Sequence, residues 1–164
     1  MPSKELNPQI NILIQTYDQA YNKTAWHGTN LRGSLGGLKL PELIWRPKPK
    51  RHNAWEIALH CAYWKYVVWR RITGAKMGGF PRKPSDWPMI PSKPDLKLWK
   101  EDLALLEEWH AKLRDEIVNF SVAKLNRKPK NSKVSYVQTI YGISSHDLYH
   151  AGQIQLLKRL QRAK

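Results

Sequence analysis

Apolar positions recur along this chain at the three-and-four spacing of helices, and nowhere do they alternate with the period of two that marks strands. From about Gln9 to Leu38, the residues Ile10, Leu13, Ile14, Tyr17, Ala20 and Tyr21 fall on one face. Gly28 is expected to break this stretch, with Thr29 or Asn30 capping a short second piece that ends at Gly36 and Gly37. A second helix is predicted from about His52 to Ile72, stopped by Gly74. It has no charged residue between Ile57 and Trp64, so it should be the most buried. A third, from about Leu96 to Lys124, spaces Trp99, Leu103, Leu106, His110, Leu113 and Ile117 by alternating fours and threes, the seam of a bundle helix. Ser135 with Gln138 three residues on forms a capping box for a fourth, running to about Gln161. Lys158, Arg159 and Arg162 suit the negative end of that helix.

Proline supports the same divisions. All 11 prolines lie near the N-terminus or at 41–49, 81–94 and 129, so the proline-free stretches between them are free to be helical. Four amphipathic helices joined by long connections predict an all-α fold, a four-helix bundle with crossovers, built by one domain over residues 1–164. Hydrophobic residues at 41% are enough for a packed core and exclude a disordered chain. No apolar run approaches the roughly 20 residues needed to span a bilayer. Met1 to Leu13 lack the pattern of a signal peptide, and the single cysteine, Cys61, excludes an internal disulfide framework. The expectation is a cytoplasmic protein with no membrane contact.

The net charge of +15 raises the question of an anionic partner. Much of the excess sits in two linkers, with Arg46, Lys48, Lys50 and Arg51 in one and Arg127, Lys128, Lys130 and Lys133 in the other. Solvated loops account for such runs. Contact with nucleic acid or another anionic partner is the alternative, which would make the protein a non-enzymatic binding module.

The residues that carry chemistry are histidines. His146 and His150, four apart on a helix, differ by only about 40° in direction and about 6 Å along the axis, so their imidazoles can converge on one cation. Their stripe includes Ile143, Gln153 and Leu157 and faces inward; His60 shares an inward stripe with Ile57, Trp64 and Val67. Buried imidazoles need polar partners, and a metal ion satisfies several at once. Acids are scarce around them: Glu56 lies one turn before His60, and Asp147, which follows His146, is the only acid after Glu116. Each is placed to orient a ligand histidine or to take a proton, and Asp147 and Glu56 are therefore the catalytic candidates. Trp64, Tyr149 and Gln153 are candidates for a substrate pocket.

Three segments together resemble the DinB-like family: AWHGTNLRGSL around Trp26, HNAWEIALHCAYWKYVVWRRITG from His52 to Gly74, and GISSHDLYHAGQIQLLKRL from Gly142 to Leu160. The resemblance implies a four-helix bundle with one ligand histidine from the second long helix and two from the fourth, here His60, His146 and His150. It further implies one divalent ion (nickel, zinc, iron or manganese), a homodimer, and a small-molecule substrate. The implied chemistry is that of a metal-dependent hydrolase or a transferase that uses a low-molecular-weight thiol. The run His146-Asp147-Leu148-Tyr149-His150 differs from the metalloprotease motif in carrying Asp for Glu, and its third histidine lies upstream. His110 on the core seam, His27 and His52 near helix ends, and Cys61 read as structural.

Overall fold

The computed structural model describes residues 6–162, and among these the chain forms helices and no strand. Helix α1 spans Pro8–Tyr21; Asn7 caps it by accepting from the Gln9 N–H, and Pro8 fits a first turn whose N–H groups have no helical partner. Its buried face is the predicted one, from Ile10 to Tyr21. Helix α2, Leu31–Leu35, is capped by Asn30. Helix α3, Leu40–Ile44, was not expected, because the proline patch beginning at Pro41 reads as an interruption. Pro41 instead stands in the first turn, where proline starts helices, and Glu42 accepts the Lys39 N–H at 2.8 Å.

Helix α4, Ala54–Thr73, ends at Gly74, whose φ of 76° is the left-handed conformation that suits glycine at a helix end. Helix α5, Leu96–Val118, stops short of the predicted Lys124. Asn119 closes it by bonding Asp115 O through both its main-chain N–H and its side-chain amide, and a 3₁₀ turn at Val122–Lys124 follows. Helix α6, Tyr136–Arg162, starts at the predicted capping box: Gln138 Oε1 accepts the Ser135 N–H at 2.8 Å, and Ser135 Oγ accepts from Gln138 N. No helix among the described residues is long and apolar enough to cross a membrane.

The long helices α1, α4, α5 and α6 make the bundle. Both α5 and α6 pack against α1 and against α4, which leaves α1 opposite α4 and α5 opposite α6. The chain therefore crosses a diagonal twice, once through α2 and α3 and once through residues 119–135. Residues 75–95 form a strap without regular structure between α4 and α5. Its Phe80 is buried against Tyr63 and Tyr66 of α4, Arg82 bonds Asp102 of α5 at 2.6 Å, and Tyr66 OH accepts the Gly79 N–H.

The core is divided. One apolar cluster includes Tyr21, Leu59, Leu106 and Ile154; the other includes Tyr17, Leu113, Ile117 and Ile140. A charge sits at their boundary. Lys65 Nζ lies 4.7 Å from the Tyr17 ring centre and 5.0 Å from that of Tyr21, and it bonds the Asp147 carboxylate, both side chains being fully buried.

Candidate metal centre

The capping box that opens α4 fixes where His60 falls. Asn53 Oδ1 accepts from Glu56 N at 2.9 Å, and Glu56 returns the contact to Asn53 N. Two turns of α6 bring His146 and His150 against His60 from the facing side. The three Nε2 atoms converge: His146 Nε2 stands 3.1 Å from that of His60 and 3.2 Å from that of His150. His60 and His150 are buried and His146 half-buried.

The opposite nitrogens decide what the converging ones can do. His60 Nδ1–H donates to the Asp86 main-chain carbonyl at 2.6 Å, and His150 Nδ1–H donates to Gln153 Oε1 at 2.7 Å. Both rings then present an Nε2 lone pair to the centre. His146 Nδ1 is buried with no hydrogen-bond partner. Burial holds the His60 pKa below its usual value, with the Asp86 carbonyl opposing. Burial, aided by His150, His60 and Lys65, lowers His146 to about 3. His150 falls to about 4, again chiefly through burial. Near neutral pH all three are uncharged, the form that ligates a metal.

Lone pairs facing one another at this distance repel, and either a proton on His146 Nε2 or a cation among the three nitrogens offsets that repulsion. A tetrahedral ion with metal–nitrogen bonds of about 2.0–2.1 Å separates its ligand nitrogens by about 3.3 Å. The observed spacings match this, so the donors fit a divalent ion, and three ligands leave coordination positions open.

The strap supplies parts that sequence reasoning missed. Trp87 stacks on His60 with ring centres 3.7 Å apart and planes 10° from parallel, and it stacks equally on His52. Asp86 adopts φ 73°, a left-handed conformation that Asp enters more easily than most residues. Its Oδ1 accepts from Trp64 Nε1 at 2.7 Å while its carbonyl meets His60. The same Oδ1 stands 3.3 Å from His60 Nδ1, but the shorter contact is to the main chain, which leaves no pattern in sequence. Lys65, likewise missed, gave as its only signal a cation in the apolar middle of α4, ahead of Arg70 and Arg71 in its last turn.

The two candidate carboxylates are engaged away from the ring nitrogens they were expected to orient. Both Glu56 oxygens bond the Arg46 guanidinium, and Oε2 also meets His52 Nδ1 at 3.2 Å. Burial pushes the Glu56 pKa up, but the Arg46 contacts outweigh it and hold the carboxyl below its usual value. Asp147 bonds Lys65 through Oδ2; its Oδ1 is buried and unpartnered, and burial raises its pKa against the pull of Lys65. A ring nitrogen of His146, a carboxylate oxygen of Asp147 and Cys61 Sγ lie within 4.8 Å of one another. Of the pocket candidates, Trp64 lines a cleft of about 200 Å³ that reaches His146. Gln153 and the largely exposed Tyr149 sit beside His150, with Gln153 Nε2 donating to Tyr149 OH at 3.0 Å. His110 lies outside the site, stacked between Tyr17 and Tyr21.

A sequence model described as the DinB superfamily matches residues 23–154, a span that includes all three histidines. Neither the curated proteins nor the solved structures contain a match to this chain.

Proposed function

Since the chain belongs to the DinB superfamily, we infer that it holds one divalent ion on His60, His146 and His150 and is a metal-dependent enzyme of the hydrolase or thiol-dependent S-transferase type. The observation that carries this reading is the convergence of three neutral Nε2 atoms, two of them with their lone pairs fixed by hydrogen bonds on the far side of the ring. Three imidazoles suit zinc, nickel or iron(II) better than manganese, which prefers oxygen ligands. Such an ion supplies Lewis acidity, lowering the pKa of a water or thiol and polarising a substrate oxygen.

The chain's own residues do the rest. Asp86 and Gln153 hold His60 and His150 in the required tautomer and rotation. Trp87 covers the open face of the His60 ring and keeps water from it. Asp147, sealed from solvent and bonded to Lys65, is a positioning residue for His146; Glu56 anchors the start of α4 to Arg46. Trp64 and Gln153 flank the approach to the ligand histidines.

The test is elemental analysis of untagged protein prepared without added metal, followed by His146→Ala and His150→Ala. The expected result is close to one ion per chain, lost in both variants while helix content persists. Stoichiometric metal in both variants would overturn the assignment.

A further inference from the structure

Two clefts meet at Arg71. One, about 200 Å³, runs to His146 between α4 and α6 and is walled by Trp64, Val68 and Ile143; Arg71 is its only charged residue. The other, about 360 Å³, lies where the end of α4 faces the 119–135 connection, and carries Arg70, Arg71, Lys130 and Tyr136. Neither contains an Asp or Glu. The first is apolar with a cation at its mouth, and the second is a patch of three cations.

Arginines in a last helical turn commonly offset the exposed carbonyls of the helix end. Arg71 does not sit that way. Its guanidinium lies back over the Trp64 ring, 5.8 Å from the centre and two turns toward the N-terminus, on the side of the His146 cleft. Among the described residues it forms no salt bridge, whereas Arg32, Arg46, Arg82 and Arg114 each pair with a carboxylate. A guanidinium held on an aromatic face at the junction of two acid-free clefts is suited to bind an oxyanion brought by a ligand.

We propose that the substrate is an amphiphilic anion whose phosphate or carboxylate head is bound by Arg71, with Arg70 and Lys130 behind it, and whose apolar body lies between Trp64 and α6 with its far end at His146. This rests on the reading of His146 as a metal ligand only for where the far end goes; the head site is independent of metal. The direction of the clefts makes charge at one end and reactivity at the other the defining features of the ligand. It also gives the field of the +15 chain a use, since that field raises the local concentration of anions.

Fluorine NMR titration with 4-fluorophenyl phosphate and with neutral 4-fluorobenzyl alcohol tests this, using chelator-stripped and metal-loaded protein. Phosphate binding should exceed that of the alcohol in both preparations. Arg71→Gln should weaken phosphate binding by up to about fivefold in both, as loss of one exposed charge pair allows. Lys128→Gln removes the same charge from an exposed site outside both clefts and should change little. Equal losses in the two variants would reduce the effect to net charge and overturn the proposal. So would equal affinity for the alcohol, or no measurable binding to the wild type. Phosphate binding seen only with metal and unchanged by Arg71→Gln would overturn the Arg71 site while leaving the metal reading intact.

Discussion

Lys65 and Asp147 carry opposite charges where neither meets water. Taking one away strands the other, which costs about 3–5 kcal/mol; replacing both by neutral groups of similar size is close to neutral. Lys65→Met alone should therefore destabilise the fold strongly, and Lys65→Met with Asp147→Asn should recover most of the loss in urea melts. If Asp147 also steadies His146, the folded double variant should bind metal about 10–100-fold more weakly. Unchanged affinity would mean the pair serves only the core. At this scale the sequence was legible wherever spacing encodes direction. His146 and His150 share a stripe because four residues nearly complete a turn, and His60 was recognisable on its own apolar stripe. The partners of their rings were not legible. Asp86 meets His60 most closely through a carbonyl that every residue possesses, an amide oxygen of Gln153 and not a carboxylate receives the His150 Nδ1–H, and Asp147 bonds Lys65, 82 positions away.

Among elements, the beginning of α4 bears most directly on the site. Asn53 bonds the Glu56 N–H and also reaches Ile44 O at 3.4 Å, tying α4 to the end of α3. Asn53→Ala should cost about 0.5–2 kcal/mol, the usual range for a lost cap, measured by chemical denaturation. Asn53→Asp, which keeps the cap acceptor, should retain most of that stability. The four long helices were readable because their apolar faces persist over several turns and their capping residues are distinctive. Helix α3 was hidden because proline signals both a helix start and a break, and five residues are too few for periodicity to choose. The end of α5 was overrun for a related reason: Val118 to Lys124 contains no glycine or proline, and the stop comes from Asn119 bonding back to Asp115.

For the whole molecule, acid should be the effective denaturant. Burial, with Lys65 and Arg114 adding to it, lowers the pKa of His110 from the usual 6.5 to about 2. Above pH 6.5 the ring is neutral in both states and contributes no slope. As pH falls below 6.5 the unfolded chain takes up a proton that the folded one refuses, so stability declines by about 1.4 kcal/mol per pH unit until the folded value is reached. His110→Phe should flatten the fall in unfolding free energy between pH 6.5 and 5 by about 2 kcal/mol, whatever its effect at neutral pH. An unaltered slope would show that His110 protonates without opening the core. The bundle itself was legible from four amphipathic stretches. The division of its core was not, because Lys65 looks in sequence like any lysine at a helix surface, and only packing against Tyr17 and Tyr21 makes it interior.

The stack of Trp87 on His60 has a consequence for observing this protein. An indole in face contact with the His60 imidazole would lie within a few ångströms of an ion bound there. Ions with partly filled d shells accept excitation energy or an electron at such range, and zinc, with its filled shell, does not. The share of tryptophan emission that comes from Trp87, one of eight tryptophans, should therefore dim as nickel or iron enters and stay bright with zinc, so that comparison with a Trp87→Phe variant follows the loading and the class of the ion without any label.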